Sequence, residues 1–104
     1  MNILREVQKR LSKSQLYSQE GIKDPTVYCK LFDTFGSATW YLTEFDGIDT
    51  AFGFVTGLVQ DEWGYVNIPE LQALKLRGTI PRIECDLWFE PTQFSMLRIK
   101  ARVG

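Results

Sequence analysis

A chain of 104 residues with 44% hydrophobic and 24% charged side chains has the composition of an ordinary globular domain, which excludes a disordered tail, a low-complexity segment or a coiled coil. Two cysteines and no histidine remove disulfide-framework folds, the usual zinc sites and every Ser-His-Asp or Cys-His nucleophile. The net charge of −1 hides an uneven distribution: six bases and three acids over 1–30, seven acids and no base over 31–74, then six bases and three acids over 75–104.

Ile3, Leu4, Val7 and Leu11 fall at helical spacing, so residues 2–13 are predicted as an amphipathic helix. Residues 1–6 meet charge at once, with no apolar h-region, and no run approaches the roughly 18 apolar residues of a membrane span. A soluble, cytoplasmic protein is therefore expected, with Cys29 and Cys85 as buried thiols. Asp24-Pro25 breaks the chain. Residues 26–33 favour a strand, and Thr34-Phe35-Gly36-Ser37 turns it into a second at 38–45, placing Lys30 opposite Tyr41 and Val27 opposite Glu44. A third strand at 51–59 has one nearly flat face, Ala51, Gly53, Val55 and Gly57, which a helix or large side chains such as Trp40 are expected to cover. A short fourth strand is predicted at 64–67.

Asn67-Ile68-Pro69-Glu70 has the form of a helix start, with Asn67 as N-cap and Leu71, Leu74 and Leu76 toward the core of a helix over 68–76 that Gly78 and Pro81 end. Ile83, Cys85, Leu87 and Phe89 alternate with Glu84, Asp86, Trp88 and Glu90, which predicts a fifth strand. Ser95–Val103 suits a short helix or a strand. Trp40, Trp63 and Trp88 are read as core residues, with Trp63, in a turn between acids and a glycine, as the exception. The fold class expected is one α+β domain over 1–104: an antiparallel meander of four to five strands, an N-terminal helix and a short helix before the last strand, the helices on one face.

Several blocks carry a resemblance to a known family: Lys30-Leu31-Phe32, Trp40-Tyr41, Thr43-Glu44-Phe45-Asp46-Gly47, Asp49-Thr50, Phe52-Gly53, Glu62, Gly64-Tyr65, Glu70-Leu71, Ile83-Glu84 and Asp86-Leu87. Their order and spacing over residues 17–90 are similar to an uncharacterised bacterial family, domain-of-unknown-function family 2958, often carried on plasmids and other mobile elements. The resemblance implies no catalytic or binding role for any residue.

Nucleotide-binding glycine loops are missing. Carboxylates remain. Glu44 and Asp46, two apart, are expected on one face of the second strand, with Asp49 past the turn, and Glu84 and Asp86 repeat the spacing on the fifth. If those strands are neighbours, Glu44, Asp46, Glu84 and Asp86 could bind Mg²⁺, Mn²⁺ or Ca²⁺ and serve a small metal-dependent hydrolase. Alternatively, Asp46 and Asp49 serve the turn, Glu44 pairs with Lys30 or Arg82, and Glu84 and Asp86 face water. Basic residues Arg5, Lys9, Arg10 and Lys13 could join Arg98, Lys100 and Arg102 in one patch, but a pI near 5.4 argues against nucleic acid as the main partner. The reading preferred is a non-enzymatic accessory or interaction domain that needs no cofactor. It contacts a protein partner through an acidic and aromatic rim of Glu44, Asp46, Asp49, Glu62 and Trp63, and in it Glu44→Gln should leave stability nearly unchanged.

Overall fold

The computed structural model describes residues 2–97 and 99. Helix α1 (Ile3–Arg10) starts where the Asn2 side chain accepts from the Arg5 amide at 3.0 Å, and it buries Ile3 and Val7. The helix stops at Leu11, short of the predicted residue 13. Residues 14–22 follow as three successive tight turns closed by Ser18 N–H to Gln15 O, Glu20 N–H to Tyr17 O and Ile22 N–H to Gln19 O. Strands β1 (Thr26–Val27), β2 (Cys29–Asp33), β3 (Thr39–Phe45), β4 (Thr50–Thr56) and β5 (Glu62–Asn67) come next. Helix α2 (Ile68–Ala73) is followed by a two-stranded ribbon, β6 (Lys75–Leu76) and β7 (Ile80–Pro81). Strand β8 (Ile83–Cys85), strand β9 (Thr92–Gln93) and a 3₁₀ turn at Phe94–Leu97 complete it.

The main sheet has the order β5-β4-β3-β2-β8, antiparallel throughout, so the predicted four-strand meander forms and the fifth strand joins its β2 edge. Both helices cover one face. Ile3, Val7 and Leu11 of the N-terminal segment and Ile68 and Leu71 of α2 pack on Leu31, Trp40, Leu42, Phe45, Ala51, Ile83 and both cysteines. The Asn67 cap is present, accepting from the Glu70 amide at 2.9 Å, and Gln72 ties the helices by accepting from the Leu4 amide at 3.0 Å.

Several expectations are corrected. The helix over 68–76 ends at Ala73 because Leu74 turns extended, is exposed and feeds the ribbon. The Leu76–Thr79 turn of that ribbon has both central residues at positive φ, Arg77 at 54° and Gly78 at 75°, the hand that matches strand twist. Lys30 does pair with Tyr41; the β2–β3 ladder starts at Cys29 and Leu42, and the assigned ladder partner of β1, Val27 included, is β9. The fifth strand ends at Cys85, because the Asp86 side chain accepts from the Trp88 amide at 3.0 Å and starts a turn. Leu87 and Trp88 are therefore exposed, Trp88 by 94%, and only Trp40 of the three tryptophans lies in the core. Arg10 is not part of an open basic patch. Its guanidinium donates to the carbonyls of Phe89 at 2.9 Å and Leu87 at 3.1 Å, clamping that turn, and also meets Glu6. Arg98, Lys100 and Arg102, with most of the segment expected at 95–103, lie outside the described residues.

Candidate functional site

One irregularity in β3 builds the site. Register with β4 runs regularly from Thr39↔Thr56 to Leu42↔Gly53, then shifts, so that Glu44 faces Phe52 and Phe45 faces Ala51. Thr43 is the inserted residue, and its hydroxyl donates to the Phe52 carbonyl at 3.2 Å. The bulge keeps Leu42 and Phe45 both in the helix-covered core, three residues apart. It thereby sends Glu44 to the opposite face, beside Phe52. The flat face of β4 is explained here as well. A Cβ at Gly53 would strike the Tyr41 carbonyl oxygen and come within 2.8 Å of the Leu42 Cα, so backbone of β3 itself approaches at this position, while Trp40 and the helices pack with Ala51 and Val55 on the same face.

Glu44 is 5% exposed and carries the turns of 14–22 on its carboxylate. Oε1 accepts from the Tyr17 amide at 2.8 Å and Oε2 from the Gln19 amide at 2.9 Å. Around them, the Ser14 hydroxyl donates to the Thr43 carbonyl, and the Gln19 side-chain amide donates to the carbonyls of Thr43 at 2.8 Å and Thr26 at 2.9 Å. The two bonds to the Glu44 carboxylate are charge-assisted, a class among the stronger ones in proteins. They hold Tyr17 at φ 68°, a conformation non-glycine residues seldom adopt.

The other wall is aromatic. Phe52 stacks on Trp63 at 5.9 Å between centroids with a 14° interplanar angle, and it meets Tyr65 at 4.9 Å. Phe94 closes the row, 4.8 Å from Trp63 and 5.0 Å from Phe54. Its segment is fixed by the Phe94 amide donating to the Pro25 carbonyl and by Ser95 donating twice to Asp24. The Ser95 hydroxyl and amide hold the Asp24 carboxyl below its ordinary range. Between the 14–25 loop and the aromatic row lies a depression of about 390 Å³, with Thr43 and Glu44 in its lining. Tyr17, Tyr65 and Trp63 border it and are 62%, 58% and 38% exposed. The Tyr17 hydroxyl beside Tyr65 pushes the Tyr65 phenol above its usual value, and burial and the Glu44 and Glu20 carboxylates add to this.

The rim expected from sequence is divided by this arrangement. Glu44 and Trp63 line the same depression. Asp46 lies past the end of β3, where Oδ1 accepts from the amides of Ile48, Asp49 and Thr50 at 2.8, 2.9 and 3.1 Å. Desolvation opposes its ionisation, but those three amides outweigh it and hold the carboxyl below its ordinary value. Asp49 accepts from the Thr50 hydroxyl at 2.9 Å. Glu62 is opposite Val55, on the helix side of the sheet, where it accepts from Gln60. Glu84 and Asp86 sit at the far edge, with β2 between their strand and β3. Glu44, Asp46, Glu84 and Asp86 are thus not brought together, and no group of three or more Cys, Asp or Glu among the described residues is placed to hold a metal ion. Sequence reasoning missed Tyr17, Gln19, Glu20, Phe52 and Tyr65 as members of the site. The one available signal was the apolar spacing Trp40, Leu42, Phe45, which breaks the two-residue alternation where the bulge falls.

Fold and site together define an α+β domain with a sheet covered by helices on one face and an open aromatic depression on the other. The chain belongs to the family described as protein of unknown function (DUF2958), which matches residues 3–102. No curated protein matches the chain. No solved structure matches it either. Among the described residues no helix is long and apolar enough to cross a membrane.

Proposed function

We propose that this chain is a non-enzymatic interaction domain, an accessory protein of a bacterial mobile element acting in the cytoplasm, that holds a protein partner in the depression between the 14–25 loop and the aromatic row. The observation carrying this reading is the exposure of Tyr17, Tyr65 and Trp63 around one concave surface. Aromatic side chains presented with little freedom to lose are the usual anchors of protein contacts. The twisted backbone at Tyr17, braced by a buried carboxylate, supports the same reading, since strain is kept where presentation matters.

The occupant that fits is an extended segment offering a basic side chain next to an apolar one. Glu20 and Glu44 outnumber Lys23 in the lining, and the chain over 31–74 has seven acids and no base. A cation over these ring faces would add about 0.5 to 2 kcal/mol. The mobile-element setting rests on the family resemblance, and the cytoplasm on two thiols that form no disulfide.

The test is site-specific photo-crosslinking in the native host, with the probe at Trp63 and a control probe at Glu84. A single protein captured only from position 63, whose purified form then loses roughly tenfold or more in affinity for Trp63→Ala, is the expected result. Equal capture from both positions refutes the proposal. So does a saturable, ion-specific rise in melting temperature with Mg²⁺, Mn²⁺ or Ca²⁺ that disappears in Asp46→Asn, which would favour a metal-dependent hydrolase instead.

A further inference from the structure

The helix-covered side of the sheet holds a pair of reactive groups that partner binding leaves unused. Leu31 pairs with Cys85 across β2 and β8, so Cys29, two residues before Leu31, projects to the same face as Cys85. Both side chains are buried, their sulfurs are 3.8 Å apart, and they are thiols. An S–S bond is about 2.05 Å long, so closure asks for a movement of roughly 1.8 Å.

The two cysteines stand in different surroundings. Cys29 lies on β2, between β3 and β8, whereas Cys85 ends a three-residue strand at the sheet edge, where local opening is easiest. The hydrogen bond with Cys29 holds the Cys85 thiol below its ordinary range; burial opposes this, as do Glu6 and Asp86, and the Arg10 guanidinium assists. The same pairing, with burial, pushes Cys29 strongly upward. Arg10 is held close by its bonds to the Leu87 and Phe89 carbonyls.

We propose that Cys29 and Cys85 form a reversible oxidation site at which a small hydroperoxide converts the thiol pair to an intramolecular disulfide. The Cys85 thiolate attacks the peroxide; an S–O bond forms, the O–O bond breaks, and the departing hydroxide takes up a proton as water. The Cys29 sulfur then attacks the Cys85 sulfur; the S–S bond forms, the S–O bond breaks, and the sulfenic oxygen leaves as a second water carrying the Cys29 proton. Two thiols and one hydrogen peroxide become one disulfide and two waters. The product staples edge strand β8 to β2 and with it the turn that Arg10 clamps, and a dithiol reductant reverses it.

The experiment treats the full reduced chain with equimolar hydrogen peroxide and follows intact mass, thiol count and a non-reducing peptide map. The expected result is a single species lighter by two hydrogen atoms, with a Cys29–Cys85 crosslinked peptide and both thiols restored by dithiothreitol. Cys29→Ser should stop at a sulfenic acid on Cys85 that dimedone traps, and Cys85→Ser should react at roughly one tenth of the wild-type rate or below. If neither variant folds, the wild-type mass and peptide map decide alone. Disulfide-linked dimers, oxygen addition without coupling, or thiol loss no faster than global unfolding overturn the proposal.

Discussion

Glu44→Gln is the substitution that most directly tests how the site is built. Glu44 is 5% exposed, and its carboxylate gives one oxygen to the Tyr17 amide and the other to the Gln19 amide. Glutamine keeps the shape but offers one oxygen, so its NH₂ must face a backbone N–H and leave a donor unsatisfied. Hydrogen bonds to a charged acceptor are worth about 1.5–3 kcal/mol each, and the surviving bond loses its charge assistance, so a loss of about 2 kcal/mol follows. With a urea slope of about 1 to 2 kcal/mol per molar, the midpoint should fall by about 1 to 2 M, and the melting temperature by on the order of 10 °C. The sequence alone led to the opposite expectation, because it treated Glu44 as part of an open rim. Urea denaturation at constant slope measures the loss, and hydrogen exchange at the Tyr17 and Gln19 amides locates it. A midpoint shift worth less than about 0.3 kcal/mol would mean that Glu44 does not carry the 14–22 turns, and the account of the site would fail.

Gly53→Ala should destabilise by about 1 to 3 kcal/mol, since backbone of the neighbouring strand has nowhere to retreat, whereas Gly64→Ala, directly opposite and with nothing within 4 Å of an added Cβ, should change little. Equal urea midpoints for the two variants would refute the close-approach argument. Asp33, whose carboxyl lies below its ordinary value because the Arg82 side chain donates to it at 2.9 and 3.0 Å, predicts a pH dependence with a definite sign. A lowered folded pKa stabilises above the unfolded value of about 3.9, and this stabilisation is lost as pH falls through the folded value. The stability gap between wild type and Asp33→Asn, measured by urea titration at stepped pH, should therefore be open at neutral pH and close below about pH 4; a gap constant down to pH 2 would exclude the ion pair as its cause.

The meander was legible because alternation over residues 29–33 and 39–42, the turn chemistry of 34–37 and the Asn67-Ile68-Pro69-Glu70 start each depend on neighbours in sequence. What escaped depends on distant groups. Residues 83–90 alternate like a strand, but the Asp86 side chain accepts from the Trp88 amide and Arg10, from the other end of the chain, captures the carbonyls of Leu87 and Phe89, so the polar-apolar pattern ends in a turn that exposes Trp88. The site escaped for a sharper reason. A rule of period two places Glu44 and Asp46 side by side, yet β3 ends at Phe45 and Asp46 turns onto the amides that follow it, while one inserted residue at Thr43 leaves Leu42 and Phe45 in the core and turns Glu44 to the other face. The bulge and the end of the strand together divide the acidic segment into two kinds of work: Asp46 and Asp49 order the β3–β4 connection, while Glu44 fixes a loop with no periodicity of its own, residues 14–22. The loop has no regular structure to present Tyr17, so its placement against Tyr65 and Trp63 comes from the carboxylate beneath it. Position of the depression and stability of the loop are therefore the same interaction read twice, and a variant cannot loosen one without moving the other.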